Sequence, residues 1–101
     1  MDIQRWQKFS LNEQMGNIGS EVSRACLFEE KQDLIQRDKA LERVLEMIDA
    51  MIDQKRYPSR LKEICRLREL VADLYSHGGN YQVSLNDLLS YLMPFALLAR
   101  K

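Results

Sequence analysis

Apolar residues recur along this chain every three or four positions, with no convincing strand alternation, the spacing of helices that bury one face. Leu11, Met15, Ile18, Val22 and Ala25 form the first such stripe, in a helix predicted to run to about Lys31. It opens at "SLNE", where Ser10 is placed to cap free N–H groups and Glu13 to reach back to the Ser10 N–H. Leu34, Leu41, Leu45, Ile48 and Ile52 form the second stripe, with Val44 and Met51 beside it, ending near Gln54. Asp33 is its candidate cap, with Gln36 three residues on. No Gly or Pro separates these two segments, so the pattern fits a hairpin and fits one long bent helix.

Tyr57-Pro58 predicts the next boundary, because the residue before proline is pushed out of helical geometry and proline suits a first helical turn. The third helix carries Leu61, Ile64, Cys65, Leu67, Val71 and Leu74, and "HGGN" (His77 to Asn80) is expected to stop it through its glycines. The fourth opens at "SLND", with Ser84 as cap, Asp87 three residues on, and Val83 and Leu88 placed as a hydrophobic staple. Leu85, Leu88, Leu89, Leu92, Phe95 and Leu98 are its inward residues, and Pro94 is expected to bend or break it. About four amphipathic helices with short connections make an all-α, up-and-down bundle, one domain over residues 1–101 with its last helix kinked at Pro94. Ile3, Trp6 and Phe9 precede the first cap and suit an extra turn closing one end of the core.

The stretch "MGNIGSEVSRAC", Met15 to Cys26, breaks the apolar rhythm with two glycines and two serines. It matches neither the phosphate-binding G-x-x-x-x-G-K-[ST] loop nor the dinucleotide G-x-G-x-x-G turn, and no strand precedes it. Gly16, Gly19, Ser20 and Ser23 instead share a helix face. Each mid-helix glycine costs roughly 1 kcal/mol relative to alanine, and close approach of another helix is the usual compensation. Glu21 and Arg24, three apart, flank that face and are expected at a helix–helix or subunit seam, with Arg24 meeting an acid of the second helix.

Composition narrows the chemistry. The chain has 15 basic and 15 acidic residues, a balance that disfavours a dedicated nucleic-acid binder. Locally, however, Lys55, Arg56, Arg60, Lys62, Arg66 and Arg68 stand against Glu63 alone. Such a run either contacts phosphates or pairs with an acidic neighbour. Glu42, Glu46, Asp49 and Asp53 supply that neighbour as a stripe on the second helix, and internal pairing is the favoured reading. The same stripe is not a di-iron site, which also needs Glu-x-x-His on two helices. The only histidine is His77, and Cys26 and Cys65 lack close companion ligands, so no metal or cofactor is expected. His77 lies 12 positions after Cys65, too far for contact within one helix, and is read as a C-terminal cap. The Arg-x4-6-His element of helical endoribonucleases is absent, since Arg68 precedes His77 by nine. No catalytic residue is assigned.

Reduced, buried thiols and a cytoplasmic location are expected, because "MDIQRWQKFS" has no apolar signal region and no run reaches the roughly 20 residues that cross a bilayer. The runs "NIGSEVSRA", "ALERVLEMID" and "RLKEICRLREL" resemble a family of short bacterial and archaeal helical proteins that carries no assigned activity. The resemblance implies a prokaryotic cytosolic bundle and transfers no catalytic residue; where it leads one to expect a glycine between the first two helices, this chain has "KQDL". The sequence reading is a self-associating protein–protein interaction module, a homo-oligomer away from membranes. Its apolar supply, with Trp6, Phe9, Phe28 and Phe95, exceeds what 101 residues readily bury. The alternatives are a nucleic-acid accessory protein using the basic third helix, and a ribonuclease-like enzyme assembling Glu21, Arg24 and His77 between chains.

Overall fold

The computed structural model describes residues 2–99, which contain helices and no strand. A short helix, α1 (Ile3–Gln7), precedes four long ones: α2 (Leu11–Glu30), α3 (Leu34–Gln54), α4 (Leu61–Ser76) and α5 (Leu85–Ala99). A single 3-10 turn, Pro58–Arg60, leads into α4. The bundle therefore has five helices, α1 being the extra turn around Trp6.

The helix ends follow from local chemistry. At α2, the Glu13 N–H donates to Ser10 Oγ at 3.1 Å and the Ser10 N–H donates to the Glu13 carboxylate at 3.0 Å. Accepting that backbone N–H holds the Glu13 carboxyl below its ordinary value. Ser84 and Asp87 make the same exchange at the head of α5, at 3.1 and 3.0 Å. Asp33 caps α3 by accepting the Gln36 N–H at 3.2 Å.

Three of the helix stops place a residue other than glycine at the left-handed position: Gln32 after α2, Lys55 after α3 and His77 after α4. Helix α2 ends where Gln32 takes φ 60°, while Gln32 and Asp33 donate back to the Glu29 and Phe28 carbonyls. This wrap, the Schellman motif, makes α2 and α3 a hairpin. Helix α4 ends in the same way with His77 at φ 58°, donating to Leu74, and Gly78 donating to Asp73. The stop expected from the glycines is thus made by the histidine before them. Gly78 answers a different demand: a Cβ there would lie 2.7 Å from Asp73 Oδ1.

Pro94 does not break α5, which runs unbroken from Leu85 to Ala99. Proline removes one N–H and crowds the carbonyl four residues back. Pro94 and Ser90 are both exposed, a placement in which water can partner the carbonyl that Pro94 leaves without a donor.

Neighbouring helices run antiparallel. Glu21 of α2 pairs with Arg43 of α3, Asp49 of α3 with Arg68 of α4, and Gly16 and Gly19 of α2 meet Ala96 and Leu92 of α5 in reverse order. Helix α2 lies between α3 and α5, and α4 lies beside α3. Met15, Ile18 and Val22 meet Leu41, Val44, Ile48, Val71, Leu85 and Leu92 in the core, with Trp6 sealing the end below α1.

Candidate functional site

The small-residue face of α2 divides between two neighbours. A Cβ at Gly16 would sit 3.1 Å from Ala96 Cα, and one at Gly19 would sit 3.3 Å from Leu92 Cβ. Helix α5 is therefore the one that comes close, backbone against backbone at Gly16. Ser20 is exposed and turns its Oγ back to the Gly16 carbonyl at 3.3 Å, while Ser23 is half-buried. Glu21 accepts from Arg24 at 2.5 Å and from Arg43 of α3 at 3.1 Å. The roles across this seam are the reverse of those expected from the sequence. Helix α2 contributes the acid and α3 the arginine, so Arg24 stays with its own helix.

The basic run disperses. Arg56 donates to the Gln7 and Phe9 carbonyls at 2.7 and 2.9 Å and lies over the Tyr57 ring. Arg60 pairs with Glu63 at 3.5 Å and lies over Phe95, and Arg66 pairs with Glu69 at 3.4 Å and lies over Tyr81. Arg68 meets Asp49 at 2.6 Å. Lys55 closes α3 in left-handed geometry, and Lys62 is exposed. Of the acidic stripe, only Asp49 pairs with the basic run; Glu42 accepts from Tyr75, and Glu46 and Asp53 border an open recess beside Ile3.

Several organising residues gave no periodic signal. Gln14 is fully buried: its amide donates to the Trp6 carbonyl at 2.8 Å and to Gln54, and its oxygen accepts from Tyr57 at 2.7 Å. This clasp ties α1, α2, α3 and the α3–α4 turn together. At the opposite end Arg37, 3% exposed, holds Glu29, Asp38 and the Leu74 carbonyl. Asp73 accepts from the Asn80 and Tyr81 N–H groups and fixes the α4–α5 loop. Polar residues at core positions, such as Gln14 and Asp73, were the available hint, since burial demands partners.

The ribonuclease-like constellation does not assemble within one chain. His77 Nε2 lies 3.4 Å from Asp38 on the α3–α4 side, while Glu21 and Arg24 occupy the α2–α3 side. Cys26 is buried and Cys65 half-buried, both free. Burial, then the nearby Glu29 and Glu30, push the Cys26 thiol above its ordinary value. Among the described residues, no group of three or more His, Cys, Asp or Glu side chains is placed to hold a metal, and no helix is long and apolar enough to cross a membrane.

The most exposed surface without charge is on α5. From Leu88 to Ala99 it contains no charged residue. Its inner side is packed on α2, yet Met93, Leu97 and Leu98 are 46, 55 and 50% exposed. The aromatic surplus expected to drive association is largely absorbed: Trp6 is buried, and Phe9, Phe28 and Phe95 are half-buried. Leu27, Leu34 and Ile35 are exposed too, at the α2–α3 turn, but Glu29, Glu30, Lys31 and Asp33 are interspersed with them. No protein-family model, curated protein or solved structure matches the chain.

Proposed function

We propose that this protein is a non-catalytic, self-associating interaction module of the cytoplasm, of the short prokaryotic helical type that "NIGSEVSRA" suggests. The carrying observation is the charge-free outer edge of α5, Met93, Leu97 and Leu98. A helix edge that stays in water normally carries charge, and contiguous exposed apolar groups mark interaction sites. Complete burial of such a side chain contributes about 1.5–3 kcal/mol; these are already half covered, so about 1 kcal/mol each is the scale of what a second copy recovers.

Internal commitment of the basic residues supports this reading over a nucleic-acid interface on α4. Arg56, Arg60, Arg66 and Arg68 all have partners within the chain. Salt-dependent binding of RNA or DNA, lost when Arg60 and Arg66 are changed to Glu, would reverse that ranking. For self-association, sedimentation velocity over the micromolar range is expected to give a mass that rises above the 11.9 kDa of one chain. A single species of monomer mass at every concentration would rule the module out.

A further inference from the structure

A cleft of about 530 Å³ opens between α1, α2 and α3. Volumes of this size hold small organic ligands. Three helices each bring one arginine to it: Arg5 from α1, Arg24 from α2 and Arg43 from α3. Arg24 and Arg43 are already held side by side, because both donate to the Glu21 carboxylate. Each guanidinium has five N–H donors in a planar fork. Arg24 uses its Nη1 on Glu21 and Arg43 its Nε, which leaves the remaining donors without an acceptor among the described residues. Arg5 has no carboxylate partner among them either. Forked guanidiniums with spare donors match the oxygens of a phosphate.

The rest of the lining fits the other parts of one ligand. Trp6, Phe9 and Met47 supply an apolar side, with Trp6 and Phe9 edge to face at 6.1 Å. Trp6 is 4% exposed, and its Nε1 is the one buried side-chain donor without an acceptor among the described residues. An unmet buried donor costs about 1–3 kcal/mol, and a ligand oxygen reaching it as the cleft adjusts would recover that. Glu46 has no ion-pair partner among the described residues, and an acid in a cleft of arginines suits hydroxyl or amino donors. Glu21 and Glu46 also offset two of the three arginine charges, so the cleft selects against a bare polyanion. We infer that this cleft binds a nucleotide unit, with phosphate on the arginines, sugar or base donors on Glu46 and the base against Phe9 and Met47. The inference stands independently of self-association.

Trp6 is the chain's only tryptophan and lines this cleft, so its fluorescence reports on changes there. The full chain is titrated with AMP, with a short oligoadenylate and with inorganic phosphate, alongside Arg5→Gln, Arg43→Gln and, as an exposed control outside the cleft, Lys39→Gln. A saturable change is expected with AMP or the oligonucleotide, weakened about tenfold by either cleft substitution, the scale of a lost charge-assisted hydrogen bond, and unchanged by Lys39→Gln. Far-UV circular dichroism checks that the variants stay folded; both substituted arginines are exposed. Tighter binding of the oligonucleotide identifies a strand as the source, and equal or tighter binding of AMP identifies the free nucleotide. No saturable change with either, equal response to inorganic phosphate, or insensitivity to both cleft substitutions overturns the assignment.

Discussion

Helix α5 is held on its two sides by different physics. Against α2 it meets glycine, and at Gly16 only 3.1 Å separates the would-be Cβ from a backbone atom of Ala96. Against α4 and the 3-10 turn that leads into it, it is reached by long side chains: Tyr91 donates to Glu63, and Arg60 lies over Phe95. Beside the Tyr91–Glu63 contact an open recess of about 200 Å³ remains, bordered by Leu67, Leu70, Val83 and Leu88. A backbone contact has no rotamer with which to adjust, so the α2 seam should be intolerant of added volume. A side-chain contact can be trimmed and refilled by water, so the α4 seam should be forgiving.

The largest expected effect is therefore Gly16→Leu, with a loss of about 3 kcal/mol from overpacking against a neighbour that cannot move aside, read as a drop in the urea midpoint. Alanine gives the finer contrast. Alanine gains about 1 kcal/mol of helix propensity over glycine, but at Gly16 the obstacle is backbone, whereas at Gly19 it is the Leu92 side chain. Gly16→Ala should be destabilising by about 1 kcal/mol and Gly19→Ala close to neutral. The reverse order would break the comparison.

At the α4 seam, Tyr91→Phe should cost only about 1 kcal/mol, the usual net value of a hydrogen bond. It should also change the alkaline limb of stability. Burial, then the bond to Glu63, raises the Tyr91 phenol above its ordinary 10.0. The folded chain thus keeps this proton where the unfolded chain releases it. The contribution is complete below pH 10.0 and is lost as pH rises above it. Thermal melts from pH 9 upward should fall less steeply for Tyr91→Phe than for the parent, once the other tyrosines are matched. The smallest effect belongs to the turns. Gln32 occupies a left-handed position that costs a side-chain-bearing residue about 1 kcal/mol, so Gln32→Gly should raise stability by up to about that amount.

The periodic parts of this fold were legible in the main, although Leu34 and Leu98, placed on the apolar faces by their spacing, are exposed near helix ends. Core positions from Met15 to Leu92 and the Ser10 and Ser84 caps follow from helix spacing and short-range hydrogen bonding, which one strand of sequence contains. The three non-glycine stops were not legible. Gln32, Lys55 and His77 adopt positive φ, and nothing in a glutamine, lysine or histidine announces that. The path through Pro94 depends on Ser90 being exposed, a tertiary fact. The arginines show the same limit for the surface. A run of like charge was visible from Lys55 to Arg68; two of its partners, Glu63 and Glu69, lie three residues away on α4, but the others came from α1, α3, α5 and the α4–α5 loop. The arginines that gather in one cleft, Arg5, Arg24 and Arg43, are scattered in sequence and made no run.

Both seams use the inner sides of α5, and its outer edge is left for a second copy. Sedimentation equilibrium of Leu97→Lys against the parent chain tests that directly, because Leu97 is 55% exposed and its replacement leaves the core intact. Ile35→Lys, at the 71% exposed residue in the first turn of α3, is the matched control. The prediction is an associating parent, an associating Ile35→Lys and a monomeric Leu97→Lys. A parent that stays monomeric, or a Leu97→Lys chain that associates as the parent does, would contradict it.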